Sequence, residues 1–315
     1  MRAALTLLVV LVTVGLAACA PAGGEGREAS GVGPAGIVAD DVSTSSTTIP
    51  TSTTAPTTIP PTTVPSTTTT TDPPPEFPRF EPSEYGALVD AQVPAGTIVP
   101  SPPPHITGNL WADGRIHVLA ERRGYRPRPV ANVSMVAAGG VWVHPDVAPD
   151  LRALLDEARS LGLVLEITSG HRSPDRQREI FLRELGEESH RLRGRQVTHD
   201  EIAAGDADDV VDAALAYHSI PGYSRHHSGF TVDFDAGGPL AAFEGSPAEV
   251  WLRADDFAVA KRHGFVPSYP RGSAPQGPQP EPWEYVYVGA GTVRCAALHV
   301  HMQDPSALRS CPLTW

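Results

Sequence analysis

Residues from about Ala20 to Pro78 cannot build a hydrophobic core, and this sets where the chain can fold. No aromatic residue precedes Phe77, and Ser43 to Pro75 is almost entirely Ser, Thr and Pro. Such a composition buries too little apolar surface to offset the entropy of ordering, so residues 19–78 are expected to stay disordered. At roughly 3 Å per residue in an extended conformation, a stalk of this length reaches well over ~100 Å. Folding must begin near Arg79. The remaining stretch, about 235 residues, is enough for one well-buried domain with an N-terminal extension.

Ahead of the stalk, residues 1–18 read as a lipoprotein signal peptide. Arg2 supplies a minimal positive region, and Ala3 to Leu16 is a largely apolar run too short to span a bilayer comfortably. The run ends in Leu16-Ala17-Ala18-Cys19, which resembles a bacterial lipobox. In such precursors the Cys carries the lipid, so Cys19 is the expected lipidation site. The mature chain is then expected on the outer face of the cell membrane, held by its acyl chains. The formal net charge of -12 argues against a nucleic-acid partner. With Cys19 assigned to lipid, Cys295 and Cys311 remain. Outside the cytoplasm this pair reads as a disulfide closing the last segment, a stabilisation of roughly 3 kcal/mol. A monomer is expected.

Within the folding part, residues 79–140 read as an irregular extension, with Tyr85 to Arg128 Pro-rich and without evident chemistry. Val147, Leu151, Leu154, Leu155 and Ala158 form a helical stripe that Gly162 ends. Leu163 to Thr168 reads as a buried strand, and Ser173 with Pro174 opens the next helix. Thr198 and Glu201 make a capping box for a helical region running through Val210 to Ala216. Ser246 caps a helix ending at Gly264, followed by strands at Phe265 to Tyr269 and around Glu284 to Val288. Strands and helices mix without a βαβ period, which predicts an α+β domain with a largely antiparallel sheet flanked by helices.

One segment carries chemistry on its face. In Ser224-Arg225-His226-His227-Ser228-Gly229-Phe230-Thr231-Val232-Asp233, Gly229 lets the backbone turn before a short strand. Thr231, Asp233 and Asp235 fall on one side of that strand, because strand side chains alternate. An imidazole and a carboxylate at this spacing suit zinc, whose catalytic sites take three protein ligands and leave a fourth position open.

Two further motifs stand in order with it: Ser169-Gly170-His171-Arg172-Ser173 with Gln177 before, and Glu281-Pro282-Trp283-Glu284-Tyr285-Val286-Tyr287-Val288-Gly289 after. Together the three resemble the motifs of the VanY-type D-alanyl-D-alanine carboxypeptidases, of the LAS group of zinc metallopeptidases. The resemblance covers roughly Val141 to Gly289, inside a peptidase domain taken as residues 141–315 with its C-terminal disulfide segment. It implies the LAS/hedgehog-type DD-peptidase fold and a peptidoglycan stem peptide as substrate. His226 and Asp233 become zinc ligands and Glu281 the general base for the attacking water. Arg172 becomes the oxyanion stabiliser, and Ser173 and Gln177 the holders of the peptide's terminal residue.

The third motif departs from the family. Glu284 stands where the resemblance has its third ligand, a His, and Val286 where it has an Arg. Glu can bind zinc through oxygen, so Glu284 is the preferred third ligand. A second carboxylate lowers the positive charge of the centre and makes bound water less acidic. His299 and His301 are the downstream alternatives. Two other readings stay open: a wall-binding or regulatory lipoprotein on the same fold, and an L,D-carboxypeptidase or endopeptidase of peptidoglycan.

Overall fold

A computed structural model describes residues 77, 79–90, 94–273, 275–297 and 311. The signal peptide, Cys19, the stalk apart from Phe77, His299 and His301 lie outside the described residues. Among the described residues no helix is long and apolar enough to cross a membrane.

The stretch expected to be irregular contains two helices, α1 (Pro82–Asp90) and α2 (Leu110–Arg122). In α2 the Asn109 side chain accepts hydrogen bonds from the backbone N–H groups of Trp111 and Ala112 and so caps the helix. Ala112, Ile116, Leu119 and Ala120 then face inward at helical spacing. A short ribbon pairs β1 (Thr97–Ile98) with β2 (Val130–Ala131), and a second pairs β3 (Val136–Ala138) with β4 (Val141–Val143).

From there the chain runs through α3 (Ala148–Ser160), β5 (Glu166–Ser169) and the long α4 (Pro174–Arg193). Ser173 caps α4 by accepting from Arg176 N, and Gly194 ends it in the left-handed region. The capping box of Thr198 and Glu201 opens α5 (His199–Ala204). Gly205, at φ 88°, stops that helix before α6 (Asp208–Leu215), so the single region expected here is two helices.

A 3-10 turn at Arg225–Ser228 leads into β6 (Thr231–Asp235). Next come α7 (Pro247–Arg262), β7 (Phe265–Tyr269), β8 (Glu281–Tyr287) and α8 (Ala290–Ala297). Inside α7, Asp255, Asp256 and Phe257 take positive φ and break the helix in two. The Asp256 carboxylate accepts from Phe80 N, Tyr85 Oη and Lys261 Nζ, which ties the break to α1.

The main sheet has the order β5-β6-β8-β7, antiparallel throughout, so the expected α+β class holds. β5 lies at its edge and is half-exposed, not the buried strand that its apolar run suggested. One sheet face, with Val232, Phe234, Phe265, Tyr285 and Tyr287, packs on α3 and α7. A separate core joins α2, α4, α5 and α6. A third places Val266, Val286 and Val288 beneath α1 and α8. Val286 is therefore apolar because the N-terminal extension and the α8 segment cover it. Cys295 of α8 is bonded to Cys311.

Phe234 is fully buried, with its ring against Phe243, Phe265 and Tyr285. Phe234→Ala should cost about 3–5 kcal/mol of unfolding free energy, read from denaturant midpoints at unchanged slope. A loss below ~1 kcal/mol would mean that this core is not packed as described.

Candidate metal centre and active site

The sheet register builds the site. Asp233 on β6 stands opposite Ser169 of β5 on one side and Glu284 of β8 on the other. Directly opposed residues share a face, so the two carboxylates point the same way. His226 enters from the 3-10 turn, which Gly229 closes at φ 76°. A Cβ on Gly229 would lie 2.9 Å from His144 N, so a side chain there would push the turn off the neighbouring strand end.

The outcome is a cluster of His226, Asp233 and Glu284, all buried, with one donor atom from each within 4.8 Å of the others. His226 Nε2 lies 3.4 Å from Asp233 Oδ2 and 3.3 Å from Glu284 Oε2. Its other nitrogen, Nδ1, is 2.7 Å from the Gly170 carbonyl. Only a protonated Nδ1 can donate to that carbonyl, which turns the Nε2 lone pair towards the two carboxylates. Asp233 Oδ1 is buried without a hydrogen-bond partner. An orphaned carboxylate oxygen beside an oriented imidazole is the donor arrangement that a divalent cation satisfies. The three residues fit zinc on this ground.

With the cluster holding only protons, its charges divide clearly. Burial pulls the His226 pKa down, but Asp233 and then Glu284 outweigh burial and push it up to about 9. Burial raises Glu284, yet hydrogen bonding and attraction to His226, the Ser268 hydroxyl and Arg225 bring it down to about 2. At pH 7, then, a proton sits on His226 and must leave when a cation takes Nε2. Zinc uptake at pH 7 should release at least about one proton per chain, measured from the buffer dependence of the calorimetric heat. Uptake with no proton released would remove His226 from the ligand set.

Glu281, the first residue of β8, registers with Tyr269 and lies beside this cluster. Burial, then the charges of Glu284 and Asp233, push its carboxyl well above the usual range, while Arg172 opposes them. Arg172 Nη2 lies 3.5 Å from Asp233 Oδ2. Two of its N–H groups are committed, to Gln177 Oε1 at 2.9 Å and Ser169 Oγ at 3.0 Å, and the others remain to be used. Arg172, Asp233, Glu281 and Glu284 all line one cleft of about 430 Å³, which Tyr217 and His218 also line.

The two residues expected to hold the peptide make these contacts within the protein. Gln177 is fully buried, its oxygen on Arg172 and its Nε2 donating to Ser219 O at 2.6 Å. The Ser173 hydroxyl caps α4. Neither lines the cleft, and both hold the turn that presents Arg172.

His227 is a further support that its motif position did not announce. It accepts from Gly222 N at Nε2, and its Nδ1 lies 2.6 Å from the Arg172 carbonyl. Burial, then nearby positive charge, lowers its pKa to about 4, so it stays neutral and fixed between the two turns. Tyr217, His218 and Arg225 were also missed. The first two follow α6 and belong to no motif. Arg225 acquires meaning only when β7 and β8 are brought beside it.

Residues 140–290 match the family model of VanY, D-alanyl-D-alanine carboxypeptidase. The segment is a VanY-family domain. It starts at β4 and ends at the first turn of α8, so the VanY segment holds every residue of the cluster while α1 and α2 lie outside it. A D-alanyl-D-alanine carboxypeptidase of Enterococcus faecalis (strain ATCC 700802 / V583) is 30% identical over 153 residues, which are 48% of this chain and 50% of that protein. The chain spans about half the length of the curated relatives it matches.

Among solved structures, the chain is similar to a vancomycin-resistance D,D-pentapeptidase VanY from a VanB-type cassette, in complex with Zn(II). The identity is 25%, the TM-score is 0.40, and the match covers 56% of this chain and 89% of that one. VanYB in complex with D-alanine-D-alanine is 26% identical at a TM-score of 0.38, over 54% and 83% of the two chains.

Proposed function

We propose that this chain is a zinc-dependent carboxypeptidase that removes the C-terminal D-alanine from peptidoglycan stem peptides. The observation that carries the reading is the buried trio of His226, Asp233 and Glu284, two of which line the cleft, inside a VanY-family segment. His226 Nε2 and one oxygen each from Asp233 and Glu284 would hold the metal. Zinc, when bound, supplies a Lewis acid for the scissile carbonyl and an acidified water for the attack.

The remaining work belongs to the protein. Glu281 takes the proton of the attacking water and delivers it to the leaving amine, for which its raised pKa suits it. Arg172, at the cleft wall with N–H groups still to use, meets the negative charge that builds on the carbonyl oxygen. Gln177, Ser169 and His227 act through Arg172 by fixing its head and its backbone.

The test is incubation of the intact zinc-loaded chain with a stem pentapeptide. D-alanine should appear, cease with a chelator and return with added zinc. A fully zinc-loaded protein that releases no D-alanine would sink the reading.

In the same proposal the lipid on Cys19 anchors the enzyme to the outer face of the membrane, and residues 19–78 carry the domain outward. Cys19→Ala should shift the protein out of the membrane fraction. Persistence of a mature, membrane-held form would point to another anchor.

A further inference from the structure

A second carboxylate on the metal raises a problem of charge. Asp233 and Glu284 together bring two negative charges to a buried centre, where two imidazoles and one carboxylate would bring one. The structure places a cation next to the extra carboxylate. Arg225, the residue before His226, is buried along with its guanidinium, whose side chain is 3% exposed. Its Nη1 donates to the Ser268 hydroxyl at 2.8 Å and also to the Ser268 carbonyl. The Ser268 hydroxyl in turn donates to Glu284 Oε1, while Glu284 Oε2 faces His226. Ser268 is fully buried on β7, and the guanidinium rests 4.1 Å from the ring centroid of Tyr269.

Among the described residues, one other carboxylate reaches this guanidinium. Asp90 Oδ1 is 3.4 Å from Arg225 Nη2, but it is half-exposed and also binds Arg128 Nη1 at 2.6 Å. One carboxylate between two guanidiniums leaves a positive charge over, and the Ser268 bridge directs it at Glu284.

We infer that Arg225 is the positioning residue that makes Glu284 a workable third metal ligand, holding and charge-balancing it through Ser268. The inference rests on the zinc reading above. Two carboxylates and one guanidinium sum to a single negative charge, which is the charge of a centre with two imidazoles and one carboxylate. The bridge also occupies Oε1, so that Oε2 is the oxygen left facing His226 and the metal position. Fixing a ligating carboxylate by a hydrogen bond from the next shell is a known determinant of metal affinity.

The test is zinc affinity of the intact chain, by competition with a chromogenic chelator, for Arg225→Gln, Arg225→Lys and Ser268→Ala. Arg225→Gln should lose about ten- to a hundredfold and Ser268→Ala about tenfold, with Arg225→Lys losing less than Arg225→Gln. The decisive arm repeats Arg225→Gln in a Glu284→His background. There the guanidinium has no ligand carboxylate to balance and repels the metal, so its removal should raise zinc affinity. A merely structural Arg225 would lower affinity in both backgrounds, and that result would overturn the inference. So would wild-type affinity in both Arg225→Gln and Ser268→Ala. Should Arg225→Gln fail to fold, Ser268→Ala decides alone. A wild-type chain that binds no zinc would defeat the zinc reading itself, before any substitution, and the inference with it.

Discussion

Glu281→Gln should keep zinc and bind stem peptide while losing hydrolysis by about 10²- to 10⁴-fold. The amide has nearly the shape of the carboxylate and leaves the three ligand atoms untouched, but it cannot take a proton from water. Its place favours this division of labour. Glu281 opens β8 three residues before Glu284, lines the cleft and is outside the metal-ligand cluster. Burial and its two acidic neighbours raise its basicity, which is what a group that must accept and then return a proton needs. Turnover of a stem pentapeptide and zinc content, measured on one preparation, separate the two effects. Undiminished turnover would move the base elsewhere, with Glu284 the first suspect.

The second large effect is expected at the ligands. His226→Ala and Asp233→Ala should each lose stoichiometric zinc, since each leaves two of the three ligands of the cluster. The two variants should differ in stability when metal-free. His226 is the cation between two buried carboxylates, and removing it leaves them facing each other, a loss of about 3–5 kcal/mol. The sign of the pH dependence follows from its raised pKa. In the metal-free wild type, the stabilisation from protonated His226 is complete below its unfolded value near 6.5 and fades as pH rises through about 9. His226→Ala should therefore fall short of wild type most at acid to neutral pH, and the gap should narrow above pH 9. Asp233→Ala removes one of the crowded carboxylates and should cost less. Denaturant melts across this pH range check both statements. Full zinc content in either variant would mean that the site is misassigned.

The parts legible in the sequence are those with local causes. The turn at Gly229, the alternation through Thr231, Asp233 and Asp235, the cap at Ser173 and the box of Thr198 and Glu201 all follow from neighbouring residues, and each forms. What escaped depends on distant partners. α2 has a cap and an apolar stripe, but they sit among prolines that suggest irregular chain, and the helix is fixed by packing on α4, α5 and α6. Leu163 to Thr168 reads as buried, yet β5 has a neighbour on one side only. Nothing near Gln177 in the sequence announces the bond of its amide to Ser219 O, 42 residues away.

Glu284 shows the same limit most sharply. Alone in the sequence it reads as a ligand that weakens the metal's charge. Beside Ser268 and Arg225, from another strand and another turn, it is one member of a balanced pair. Val286 likewise reads as a lost arginine until α1 and α8 are seen to cover it.

The measurement that bears most directly on this account is zinc content after equilibrium dialysis of the intact wild-type chain and its Glu284→Ala variant. About one zinc per wild-type chain is expected, in keeping with a three-ligand catalytic site, and almost none in Glu284→Ala. Equal zinc in both proteins would contradict it, because the third ligand would then lie elsewhere, with His299 and His301 next to be tested.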